Sequence, residues 1–120
     1  MTPVLDDQIK ATVDLRILAP QWAVAYPIIH YIFRSRGYAC VLTSGNDSHE
    51  DKPNSKHHTG EALDFRTRHV PVVDKTLVHQ AVQTALGPQW DVLLENVGKD
   101  TEHLHVEFDP KTEPKPIPEA

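Results

Sequence analysis

The chain has 120 residues, which suits one domain built around a single core. Its 17 acidic residues against 12 basic ones, a formal net charge of -5, argue against nucleic acid as the main partner. A lone cysteine, Cys40, excludes an internal disulfide, and its neighbours Val41 and Leu42 mark it as a small buried hydrophobe.

In chain order, the opening Met-Thr-Pro-Val-Leu-Asp-Asp has neither the basic region nor the apolar region of a signal peptide. No apolar run approaches a membrane span. Synthesis in the cytoplasm without membrane insertion is the expectation. Residues 20–36 are predicted as a helix, with Pro20 in the first turn, Gly37 as the stop, and Trp22, Tyr26, Ile29 and Phe33 facing the core. Pro27 is expected to kink or split it. Tyr38 to Ser44 is predicted as a buried strand, and residues 46–60 as a long polar loop of the kind that carries function or disorder.

Ala62 to Arg66 is predicted as a strand, with Leu63 and Phe65 on one face and Ala62, Asp64 and Arg66 on the other. A second helix is expected from about Thr76 to Leu86, capped by Asp74, with an apolar stripe that includes Leu77, Val78, Ala81 and Val82. Asp91 to Glu95 and His103 to Phe108 read as two strands joined by a turn around Gly98. The expected fold class is α+β, a small antiparallel sheet packed against two or more helices. Residues 1–109 form the domain, and 110–120 a Pro-rich tail expected to be disordered.

Eight histidines is a high count for this length, and they concentrate the chemistry. On the strand from His103 to Phe108, Leu104, Val106 and Phe108 should pack inward while His103, His105 and Glu107 share the other face. Two imidazoles at i, i+2 can reach one point above a sheet. Asp64 reaches the same point if the two strands are neighbours, and Gly60 lets the loop bring His57 back towards it. Two imidazoles and a carboxylate suit zinc, and three protein ligands leave one position for water. Glu102 is the candidate base, provided the chain there still curves out of the turn; in a regular strand it would point away from His103 and His105. His103-x-His105 alone also fits a cupin-like iron or zinc site.

Ser55-x-His57-x-x-Gly60-x-Ala62-x-Asp64, followed by Glu102-His103-x-His105, resembles the signature of the zinc D-alanyl-D-alanine carboxypeptidase and L-alanyl-D-glutamate endopeptidase superfamily. That group includes phage endolysins and the Hedgehog signalling domain. Val41-Leu-Thr-Ser44-Gly45 is similar to the strand and turn that lead into the motif, and the resemblance covers about residues 20–110. It implies Zn2+ held by His57, Asp64 and His105, Glu102 as catalytic base, and His103 steadying the oxyanion. It also implies peptidoglycan stem peptides as substrate, and action at the cell wall after holin-type release or as part of a virion. One departure stands out. Many members carry Arg or Gln soon after the Ser-Gly turn to hold the substrate's carboxylate, and here the stretch is Asn46-Asp47-Ser48-His49. Arg66 or His49 is left to take that part, which favours an endopeptidase.

Plainer readings stand beside these. Ser55 is expected to hydrogen-bond the loop or a ligand, since no His/Asp relay is visible for it. His58 is the competitor to His57, Glu107 a solvated carboxylate or an orienting group, and Trp22 and Trp90 core residues. The competing function is a catalytically inactive, zinc-stabilised binding or virion structural domain of the same fold. A monomer is expected.

Overall fold

Alternating side chains build the centre of the molecule. The computed structural model describes residues 8–47 and 54–110, so His49 and tail residues 111–120 lie outside the described residues. The elements run β1 (Gln8–Ile9), α1 (Trp22–Ser35), β2 (Val41–Ser44), β3 (Ala62–Arg66), α2 (Val72–Leu86), β4 (Trp90–Glu95) and β5 (His103–Phe108). The strands form one sheet in the order β1-β2-β3-β5-β4. The architecture is α+β, but the sheet is mixed: β1 pairs with β2 in parallel, while the remaining pairs are antiparallel. The expected purely antiparallel sheet is corrected by β1, whose two residues are too few to carry a readable alternation.

Leu42, Leu63, Phe65, Leu104, Val106 and Val92 turn to the core, where they meet both helices. From α1, Trp22, Ala25, Ile29, Ile32 and Phe33 are buried, and Trp22 packs edge-on against Trp90 at 4.9 Å between ring centroids. Both tryptophans thus belong to the core. The helix runs through Pro27 without splitting. Cys40 is buried and outside any disulfide. No helix among the described residues is long and apolar enough to cross a membrane.

The second helix departs from expectation. It begins at Val72 with Pro71 in the cap position, and Asp74 falls within the first turn, where its carboxylate accepts a bond from the Tyr38 hydroxyl. A carboxylate there still favours the helix dipole. The face presented to the rest of the protein carries Val78 and Val82, while Leu77 is 51% exposed rather than in the core. Lys75, His79 and Gln83 border this face, and two of them serve β4.

β4 is an edge strand, with backbone groups that would otherwise be open to a stray strand. The Gln83 amide closes that edge as a neighbouring strand would. Its Nε2 donates to Trp90 O at 2.7 Å, and its Oε1 accepts from Val92 N at 3.1 Å. His79 Nε2 lies 2.6 Å from Val92 O. Gln83→Ala is expected to destabilise the fold by about 2–3 kcal/mol, because two backbone groups lose partners. A thermal melt checks this, and an unchanged midpoint would show that water satisfies the edge equally well.

Candidate metal centre

The face of the sheet away from the helices carries the polar residues. β3 and β5 pair with Asp64 opposite His105 and Arg66 opposite His103. With Leu63, Phe65, Leu104 and Val106 committed to the core, alternation turns these four the other way. Asp64 Oδ1 then lies 2.8 Å from His105 Nδ1, 3.3 Å from His57 Nε2 and 3.8 Å from His103 Nε2. Three imidazoles surround one carboxylate oxygen.

His57, Asp64 and His105 each offer one ligand atom, and these atoms all lie within 4.8 Å of one another, a grouping that could hold a metal ion. Donors around a tetrahedral zinc are spaced at about 3.4 Å, so two nitrogens and one oxygen at these separations need only a slight widening to fit. The tautomer of His57 points the same way. Its Nδ1 lies 3.1 Å from Gly45 O and donates to that carbonyl, which leaves the Nε2 lone pair facing Asp64 Oδ1. Two acceptors at that distance call for a proton or a cation between them.

Backbone contacts hold His57 in place. Ser55 Oγ accepts from His57 N at 3.3 Å, which gives Ser55 a loop-shaping part and no sign of a nucleophile's. Asn46 Nδ2 donates to His57 O at 2.7 Å and to Ile17 O at 2.9 Å, while its Oδ1 accepts from Ile17 N at 2.8 Å. Asp47 Oδ1 accepts from Gly45 N and Asp14 N, both at 2.9 Å. Asn46 and Asp47, which stand where the resembled family carries Arg or Gln, are therefore the clasp between the 14–17 segment and the loop that carries His57. Of these bonds, the one from Gly45 N to Asp47 Oδ1 is local and belongs to the turn chemistry of Gly-Asn-Asp. Gly60 is forced on two counts: its φ is +75°, and a Cβ there would sit 2.5 Å from Ile17 O.

Electrostatics follow from this packing. Burial pushes the Asp64 carboxyl up, but its contacts with His105 and His57 and nearby imidazole charge outweigh it and hold Asp64 well below the usual carboxylate range. Burial works against charge on His105, yet its bond to Asp64, helped by Glu107, pushes it up to about 9. Without metal, a proton on His105 thus stabilises the fold fully below about pH 6.5, and that contribution is lost as pH rises through about 9. The metal-free protein is expected to melt at lower temperature at pH 10 than at pH 7, by roughly 2 kcal/mol of stability, and Asp64→Asn should flatten the profile. A flat profile for the parent protein would contradict the Asp64–His105 contact.

Glu102 does not join the cluster. Its carboxylate accepts from Thr67 Oγ1 at 2.8 Å and Gly98 N at 2.9 Å, and pairs with Lys75 Nζ of α2 at 2.8 Å. Regular alternation prevails at the start of β5, so the side chain turns towards the helices. Burial raises its pKa, but Lys75, Gly98 and Thr67 together lower it, so the carboxylate is held in its charged form. Glu102 nonetheless lines the same cleft as Asp64 and His103, so it stands beside the grouping without belonging to it.

His103 also lies beside the cluster. Its Nδ1 faces Thr101 O at 2.8 Å and its Nε2 faces Glu95 Oε1 at 2.9 Å. It lines a cleft of about 300 Å³ with Asp64, Lys10, Arg66 and Arg68, so three cationic side chains border the site in a chain of net charge -5. Arg66 is half-buried on the His103 side of the sheet. His58 is half-buried and stands outside the metal-capable groupings found among the described residues. Glu107 Oε1 lies 3.1 Å from His105 Nε2, an orienting contact. No protein-family model, curated protein or solved structure matches the chain.

Proposed function

We propose that the protein is a zinc-dependent peptidase that hydrolyses peptide bonds in bacterial peptidoglycan stem peptides, as an endopeptidase. The convergence of His57, Asp64 and His105 on one point, with His103 and an open cleft beside it, is the observation that carries the reading. The resemblance of the paired motifs to the zinc carboxypeptidase and endopeptidase superfamily supports the substrate class. Zinc bound there supplies a Lewis acid that makes water nucleophilic near neutral pH.

The residues of the chain divide the rest of the work. His57, Asp64 and His105 hold the ion, with Asp64 supplying the negative charge. His103, with Glu102 committed elsewhere, handles the proton: the water oxygen ends on the carbonyl carbon, the amide C–N bond breaks, and the proton ends on the leaving amine. The same imidazole, when protonated, donates to the developing oxyanion. Arg66, with Lys10 and Arg68, offers positive charge to substrate carboxylates along the cleft.

The burial of Glu102 in an ion pair favours a second reading, a zinc-stabilised domain without turnover. Defined peptidoglycan fragments separate the two. The proposal expects new amine and carboxyl ends, identified by mass, that disappear with a chelator and return with zinc. Fragments left intact by zinc-loaded, folded protein would leave the second reading standing.

A further inference from the structure

β5 lies between β3 and β4, and each neighbour offers a carboxylate to one of its histidines. Asp64 on β3 stands opposite His105, and Glu95 on β4 stands opposite His103. We infer that Glu95, His103 and His105 form a second divalent-cation site, weaker than the first and sharing His105 with it. Ligand atoms of these three residues all lie within 4.8 Å of one another. Two imidazoles and a carboxylate are again a zinc donor set.

The ring of His103 is prepared as the ring of His57 is. In both, Nδ1 faces a backbone carbonyl, Gly45 O at 3.1 Å for His57 and Thr101 O at 2.8 Å for His103. Such a bond fixes the ring and reserves Nε2 for a cation. Nε2 of His57 then faces Asp64, and Nε2 of His103 faces Glu95. In His105, Nδ1 is against Asp64 and Nε2 is 3.1 Å from Glu107 Oε1, so the ring serves both ions only as a bridging imidazolate, its remaining proton released to solvent as the second ion binds.

Unequal affinity follows from unequal burial. Side chains of His57 and Asp64 are 1% and 5% exposed, whereas Glu95 is 42% exposed and must be ordered as it binds. A shared ring weakens the second ion further, since like charges then stand close together. Resting on the peptidase reading, the second site has a consequence: a cation on His103 takes that imidazole out of the reaction. Excess zinc is then inhibitory, and Glu95→Gln relieves the inhibition.

Cobalt(II) titration of the metal-stripped full chain, followed by visible absorption and calorimetry, tests the site without reference to activity. The parent should bind two ions in a tight and a weak phase separated by at least tenfold. Glu95→Gln and His103→Gln should each keep only the tight phase, and Asp64→Asn only the weak one. A parent that saturates at one ion, or a Glu95→Gln variant that keeps both phases, overturns the second site. If instead Asp64→Asn keeps the tight phase, the first site is misassigned, a separate failure that the Glu95 variant does not share.

Discussion

His103→Gln is expected to reduce stem-peptide hydrolysis by about 10²–10⁴-fold while leaving zinc at the first site and the unfolding midpoint unchanged. Glutamine keeps the length and one donor but cannot carry a proton through the reaction. Its contacts in the fold are few: Thr101 O and Glu95 Oε1 are both near the surface. The contrasting substitution is Glu102→Gln. It leaves Lys75 beside a neutral amide in a position where the lysine side chain is only 12% exposed, so the main loss should be about 2–4 kcal/mol of stability. Paired kinetics and melting curves for the two variants decide the matter. Full activity in His103→Gln, with none in a folded and zinc-loaded Glu102→Gln, would return the base to Glu102.

Asp64→Asn should have the second large effect, weakening zinc by more than about 100-fold. Substitutions of groups that merely orient a ligand cost about 10–100-fold, and Asp64 is itself a proposed ligand with the first site's only negative charge. Its oxygen also receives His57 and His105, so both imidazoles lose the partner that gathers them. Zinc retained after dialysis, measured by atomic emission, checks this. Zinc at parent levels in the variant would remove Asp64 from the ligand set.

How much of this was legible depends on the kind of signal. β3 and β5 were readable to the residue, because alternation sends Leu63, Phe65, Leu104 and Val106 to the core and Asp64, His103 and His105 to the opposite face. The same rule also said that Glu102 turns away from His103 and His105, and the structure follows the rule. The start of α2 was not legible: Val72 and Val73 are exposed apolar residues, and Pro71 opens the helix without a side-chain cap. Asp74 resembled a cap but is bonded to Tyr38, 36 residues away in sequence. Gln83 on the edge of β4, and Asn46 beneath His57, act on partners that no local pattern predicts. The site residues were visible as residue types at fixed spacing. The second carboxylate on the strip, Glu95, emerges only from the β4–β5 register.

Zinc-edge X-ray absorption on purified, zinc-loaded protein tests the central claim most directly, because it reads the ligand shell itself. The account predicts one tightly held zinc with two imidazoles and oxygen donors at roughly 2.0–2.2 Å, and no sulfur. A shell without imidazole, or the same shell retained after His57→Ala and Asp64→Asn together, would contradict it.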